Sequence, residues 1–143
     1  MSARVALAAK GDCRLKLGLS INGYRTRIAT IMELRGELES FADETFREVW
    51  IDVQDGPALC ALFSGGLGWL MYMRESGDGG FSSRNPEYQG NADAMLEYRL
   101  SNGQHDVYPA SWALPENRVI KALEYFVECR QRAPFIQWDD DSA

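Results

Sequence analysis

One histidine, three cysteines and a set of scattered carboxylates are the groups in this sequence that could carry acid–base, nucleophilic or metal chemistry. His105 follows an Asn-Gly turn and has no nearby serine or cysteine to activate, so its setting points to a structural or solvated side chain. Cys13, Cys60 and Cys129 are odd in number and widely spaced, which argues against a disulfide framework. No Cys-x-x-Cys pair and no second histidine completes a metal-ligand set, so these thiols read as buried and structural. The close carboxylate pairs, Asp43-Glu44 and Glu124 with Glu128, fall on expected helix surfaces, where solvation explains them. There is no phosphate-binding Gly-rich loop followed by Lys and Ser/Thr, no Gly-x-Ser-x-Gly and no His-Glu-x-x-His. The expectation is a chain that is not an enzyme, with no catalytic residue, metal or cofactor.

Residue types suited to binding are easier to find. Ser76 to Asp93 is rich in Gly, Ser, Asn and Asp, and a loop of that length inside a domain is usually functional or disordered. Phe81, Arg84 and Tyr88 interrupt it, and such side chains commonly anchor protein interfaces. Asp78 lies in the same segment. The same composition also fits a loop folded back on the core with Phe81 as its plug. Near the end of the chain, Asp139, Asp140 and Asp141 form an acidic tail beside Trp138. A second arrangement, a ligand pocket lined by Tyr72, Tyr98, Arg99 and His105 on a curved sheet, is also open.

Charge narrows the partners. Residues 1–30 hold six basic side chains and one acidic one, whereas the rest of the chain holds nine basic and twenty acidic. An acidic body of that kind is repelled by nucleic acid and suits a partner with a basic surface. Ordinary solubilising charge is the plainer explanation. No apolar run approaches the roughly 20 residues that span a bilayer. The opening MSARVALAAKGD is too short an apolar patch for a secretory segment. A cytoplasmic protein with no membrane and no direct nucleic-acid contact is expected, folded as one domain over 1–143, with 1–12 as a loosely attached N-terminal segment.

The elements that must position these side chains are predicted as follows. Glu48–Gln54, Ala58–Phe63 and Leu67–Met73 form a three-strand meander joined by Asp55-Gly56 and Gly65-Gly66, dipeptides suited to the primed turns of antiparallel hairpins. Before it, an Asn22-Gly23 hairpin pairs Ile21 with Tyr24, Leu19 with Thr26 and Leu17 with Ile28. That register leaves Arg14, Lys16, Arg25 and Arg27 on a solvated face, a basic patch without interleaved aromatics. Thr30-x-x-Glu33 caps a helix whose stripe is Ile31, Leu34, Leu38 and Phe41 and which ends near Asp43. A second hairpin around Asn102-Gly103 pairs Leu100 with His105 and Tyr98 with Val107, with Arg99 facing Asp106. Pro115 opens a helix carrying Val119, Leu123, Phe126 and Val127, which Pro134 stops. Phe135–Trp138 is expected as a short last strand. The fold class is α+β: a mostly antiparallel sheet with two main helices packed on it.

Four places, taken in order, carry a resemblance. They are Gly65-Gly66-Leu67-Gly68-Trp69-Leu70-Met71-Tyr72; Phe81-Ser82-Ser83-Arg84-Asn85-Pro86; Asn102-Gly103-Gln104 with Tyr108-Pro109; and Pro134-Phe135-Ile136-Gln137-Trp138. From Tyr24 onward the chain resembles the first-numbered immunity protein family of bacterial polymorphic toxin systems. The resemblance implies an α+β inhibitor that binds and neutralises a cognate toxin domain made by the same cell, in bacterial competition. Toxins of that setting are commonly nucleic-acid deaminases, which hold a zinc-activated water in a nucleotide pocket. Such enzymes need a basic groove for the phosphate backbone, which an acidic inhibitor can exploit. On that reading Asp78, Phe81, Arg84, Tyr88, Asp139, Asp140 and Asp141 are partner-binding: aromatics anchor, and acids steer and pair.

Overall fold

The computed structural model of the protein describes residues 16–142. The segment 1–12, Cys13 and Arg14 lie outside the described residues. The chain opens with strand β1 (Leu17–Ile21), the Asn22-Gly23 turn and strand β2 (Tyr24–Ile28). Asn22 and Gly23 take φ of 51° and 86°, the left-handed pair of a type I′ turn, and the expected register holds from Leu17↔Ile28 to Ile21↔Tyr24. Asn22 does a second job. Its backbone N–H donates to the Glu48 carbonyl at 2.9 Å, and its side-chain oxygen accepts from the Glu48 N–H at 2.7 Å. The turn thereby prolongs the pairing between β1 and β3 (Phe46–Asp52).

Helix α1 (Ile31–Glu39) starts where the capping box predicts. The Thr30 hydroxyl accepts from the Glu33 N–H at 3.1 Å, and the Glu33 carboxylate accepts from the Thr30 N–H. It is shorter than the stripe suggested, and Phe41 packs from the turns that follow. Strand β3 then runs into β4 (Ala58–Ser64) and β5 (Leu67–Met73), the expected meander, with β3 beginning two residues earlier than its hydrophobic pattern indicated. The remaining elements are β6 (Phe81–Arg84), the hairpin β7 (Met95–Arg99) and β8 (His105–Pro109), a short 3-10 turn Ala110–Trp112, β9 (Leu114–Pro115), helix α2 (Glu116–Cys129) and β10 (Gln137–Asp140). The fold is α+β, and every strand pair among the described residues is antiparallel. The main sheet has the order β10-β6-β5-β4-β3-β1-β2, with β9 also pairing β5.

Strand alternation sends side chains to two different cores. Leu17, Leu19, Val49, Ile51, Leu59, Phe63, Leu70 and Tyr72 meet both helices on one face. Cys60, Leu62, Trp69 and half-buried Trp50 meet the β7–β8 hairpin on the other. Trp69 stacks on Tyr108 with ring centroids 4.6 Å apart, and Tyr108 stacks in turn on Trp112. Gly68 lets α2 lie close, since a Cβ there would meet both the Leu62 carbonyl and the Val119 side chain at 3.0 Å.

Three expectations need correction. The β7–β8 register is Arg99↔His105, Tyr98↔Asp106 and Glu97↔Val107, one residue away from the expected pairing. The loop has three residues rather than two. The Leu100 N–H donates to the Gln104 carbonyl and Gly103 takes φ 91°, a type I turn closed by a left-handed glycine. Arg99 therefore approaches Glu97 rather than Asp106. The polar segment 76–93 contains a strand, β6, at its centre. The last strand is Gln137–Asp140, not Phe135–Trp138: Ile136 is still in a turn, with its N–H on the Ala133 carbonyl, and pairing begins only where the chain meets Arg84 of β6.

Asn22→Ala removes both the bridge to β3 and a residue tolerant of φ 51°. It should cost about 2–3 kcal/mol in urea denaturation, and Asn22→Gly, which keeps the turn and loses only the bridge, about 1 kcal/mol. No loss in Asn22→Gly would mean that the side-chain bridge contributes nothing; equal losses for the two variants would mean that the left-handed φ does not need a tolerant residue.

Candidate functional site

Strand β6 decides where the binding candidates go. Ser82 and Ser83 have little intrinsic preference for a strand. Met71↔Ser82 and Tyr72↔Phe81 pair with β5 through the backbone, but the next step, at Leu70, does not. There the hydroxyl of wholly buried Ser83 takes the Leu70 N–H at 2.9 Å. On its other edge β6 pairs with β10 over four residues, from Gln137↔Arg84 to Asp140↔Phe81. Gly80, at φ 78°, makes the entry to β6 possible, because a Cβ there would lie 2.5 Å from the Tyr72 carbonyl.

Five of the seven expected partner-binding residues fall into two groups. Arg84, Asp139 and Asp141 join Ser82 in one network. The Arg84 guanidinium lies 3.7 Å over the Trp112 ring, donates to the Ser82 hydroxyl at 2.9 Å, and pairs with Asp139 at 3.2 Å. The Ser82 hydroxyl donates to Asp141 at 2.6 Å. Asp78 and Asp140 belong to a neighbouring network around Arg74 and Ser142. Arg74 holds Asp78 through both its backbone N–H and its guanidinium at 2.8–2.9 Å, and also donates to the Ser142 hydroxyl. The hydrogen bonds from Arg74 hold the Asp78 carboxyl far below the usual carboxylate range. Hydrogen bonds from Ser142 lower Asp140 in the same sense. Asp139 and Asp140 are thus strand residues on an outer edge rather than a tail. Their carboxylates, with that of Asp141, stay exposed.

Phe81 and Tyr88 are not placed as exposed anchors. Phe81 is 9% exposed and packs on Tyr72 in the helix-side core. The Arg74 and Arg132 guanidinium carbons lie over its ring at 5.1 and 3.6 Å, so cations of this chain already cover it. It is the plug. The Tyr88 hydroxyl donates to the Asn91 carbonyl within its own turn at 2.9 Å. Ser82, Arg74, Trp112 and Ser142 complete the networks and were not among the expected residues. Only the Arg74–Asp78 spacing of four residues was a readable signal.

The alternative pocket does not assemble. Tyr72 belongs to the helix-side core and Tyr98 to the hairpin-side core. Arg99 and His105 are exposed, and both approach Glu97, the His105 Nδ1 at 2.5 Å. Burial raises the Tyr98 phenol well above its ordinary value, and raises Tyr108 to about 12, with Asp106 adding to the latter. Both remain neutral packing groups near pH 7. Among the described residues no group of three or more His, Cys, Asp or Glu side chains is arranged to hold a metal ion. No helix among them is long and apolar enough to cross a membrane.

Compared with known proteins, the chain matches no family model, and no curated protein matches it at a significant level.

Ser83→Ala leaves the buried Leu70 N–H without a partner and should cost about 1–3 kcal/mol in chemical denaturation; a loss within error of zero would show that β6 does not need the hydroxyl. Asp78 has a folded-state pKa below its unfolded value of about 3.9. Its contribution is therefore present above that value and is lost as pH falls through the lower folded one. In an NMR titration its midpoint should lie below the ordinary Asp range and rise toward it in Arg74→Gln. An unchanged midpoint would rule out Arg74 as the cause.

Proposed function

We propose that the chain is an immunity protein. It binds a cognate toxin domain in the cytoplasm of the producing cell and occludes the toxin's active site, without catalysis of its own. One observation carries the reading beyond sequence order: three of the four segments that bear the resemblance, with Tyr108 of the remaining one, are neighbours in the fold. Gly65–Tyr72 supplies the turn into β5 and most of that strand; Phe81–Pro86 is β6, paired to β5; Pro134–Trp138 leads into β10, paired to β6. In the third segment, Tyr108 stacks on Trp69 of β5, while Asn102–Gln104 forms the tip of the hairpin, beside the Ser101–Glu48 contact. Three segments scattered along the chain thus form one end of the sheet. That end offers Asp139, Asp140 and Asp141 with Arg84 among them.

The acidic balance of the chain beyond residue 30 supports a basic partner. A nucleic-acid deaminase has such a surface at the mouth of its pocket, where phosphates must be held. Carboxylates steer association with a groove of that kind and then pair within it. The exposed edge acids fit this role better than the buried Phe81. Each carboxylate also has more lone-pair sites than its present hydrogen bonds use.

The decisive experiment is co-expression with the C-terminal toxin domain encoded beside this chain's gene. The chain should restore growth and co-purify with the toxin as a 1:1 complex. An Asp139→Lys, Asp140→Lys double variant should weaken that complex by about tenfold or more, mostly through a slower association rate at low salt. Unrelieved toxicity with no complex at micromolar concentration would end the proposal. A complex indifferent to the double variant would move the interface away from the β10 edge.

A further inference from the structure

The β7–β8 hairpin packs on β3 and β4 and leaves the β1–β2 end of the same sheet face to solvent. An open groove of about 680 Å³ lies there, lined by Gly18, Ser20, Arg25, Arg27, Trp50 and Asp52. That volume is in the range of small-ligand sites, about 300–1,000 Å³. We infer that this groove binds a nucleoside phosphate. The site is independent of the toxin-binding reading and lies at the opposite end of the sheet from β10.

Register builds the groove as two rows. Arg25, Ser20 and Trp50 are cross-strand partners in one row; Arg27, Gly18 and Asp52 are partners in the next. Each row therefore has a cation on the outer strand and a different recognition group on the inner one. Arg25 and Arg27 are both exposed, and neither makes an ion pair with another described residue. Two residues apart on one strand face, they stand roughly 7 Å apart. Each offers a planar fork of donors suited to phosphate oxygens. A dianion between them relieves their mutual repulsion.

The inner strand decides what the phosphate is attached to. The Trp50 indole is held in place by its Nε1 donating to Glu48 at 2.8 Å, so a flat ring has a fixed wall to stack on. Burial opposes ionisation of that Glu48, but the Ser101 and Trp50 hydrogen bonds outweigh it and keep the acceptor charged. Gly18 interrupts a strand, a position where side-chain loss often marks close approach. A Cβ there would meet the Asp52 Oδ1 at 2.5 Å, so the glycine keeps the floor bare and lets the carboxylate lie across it. Asp52 repels phosphate and accepts from hydroxyl or amino groups. The groove thus asks for an anion at β2, a flat ring at Trp50 and donors at Asp52. Inorganic phosphate satisfies the first alone; a nucleoside phosphate satisfies all three.

Isothermal titration of the full chain at low salt, with AMP, adenosine and inorganic phosphate as probes, tests this. AMP should bind 1:1, and adenosine and phosphate each about tenfold or more weakly. Added salt should weaken AMP, because the arginines are exposed. An Arg25→Gln, Arg27→Gln double variant, with its melting temperature unchanged, should lose AMP affinity about tenfold and leave adenosine binding as it was. Trp50→Leu should weaken adenosine and AMP alike. The inference is overturned if AMP gives no saturable heat at millimolar concentration. It is overturned equally if phosphate binds as well as AMP, or if the double variant binds AMP like the parent.

Discussion

The hydrogen bond from the Leu70 N–H to the Ser83 hydroxyl is the constraint on which the arrangement of this sheet turns. Strand β5 pairs with β4 along its whole length, but its other edge is shared by two short strands. β9 takes Leu67 and Gly68, and β6 takes Met71 and Tyr72. Between them lies a fully buried residue whose N–H has no strand carbonyl to meet. An unpaired buried donor costs about 1–3 kcal/mol. A serine side chain answers it and at the same time keeps β6 against β5 while the backbones diverge. Among the described strands β10 pairs with β6 alone, so Arg84, Asp139 and Asp140 all take their positions from this contact.

Coverage on both faces follows from the same centre. β4 sends Leu59, Ala61 and Phe63 to the helices, and Cys60 and Leu62 to the hairpin. Such a strand has no polar side left, which is why its burial is nearly continuous rather than alternating. Arg47 is a charged exception in the apolar helix-side core. It is 5% exposed, lies over the Phe63 ring, and donates to Glu116 and to the Gly65 carbonyl, both at 3.0 Å. Desolvation offsets much of what a buried ion pair gains. Its effect is therefore positional. The first residue of α2 is tied to the β4–β5 turn, a contact repeated by the Glu116 N–H on the Gly66 carbonyl at 2.9 Å.

What could be read from sequence was whatever local chemistry decides. The first hairpin followed from Asn-Gly between alternating runs, and α1 from a capping box, because each signal lies within a few residues of what it controls. β6 and β10 could not be read in that way. Ser-Ser and Asp-Asp are poor strand formers, and their strand state comes from partners outside the local sequence: β5 across the 74–80 loop, and β6 with β10 more than fifty residues apart, as in the Ser82–Asp141 contact. The β7–β8 register slipped for a different reason. Asn102-Gly103 serves a two-residue or a three-residue loop equally well, and the choice is made by Glu48, whose carboxylate takes both the N–H and the hydroxyl of Ser101 at 2.8–2.9 Å. The candidate site was half legible. Arg84 and the three terminal-side aspartates were picked out by type and lie in two neighbouring networks, but Phe81 had two compatible roles, and its burial with two arginines over its ring separates them. The basic face of the first hairpin lacked aromatics in sequence because its aromatic, Trp50, arrives on the neighbouring strand.

The two edge strands of the sheet carry opposite charge, arginines on β2 and aspartates on β10. β2 and β10 are the two ends of the path, six strand steps apart. At roughly 4.8 Å per step that is about 29 Å, several times the ~8 Å Debye length at physiological salt. The ends therefore act on incoming charges separately, and neither neutralises the other. They also differ in kind. The aspartates at β10 are already bonded, Asp139 to Arg84 and Asp141 to Ser82, so a cation meets carboxylates held in position and with lone pairs to spare. The arginines of β2 make no ion pair with any other described residue, so an anion there relieves an existing repulsion. Pre-bonded acids favour a partner that must be recognised in one orientation, since the donors it presents have to match fixed acceptors. Exposed cations with no ion pair to another described residue favour a small ligand around which they can still rearrange.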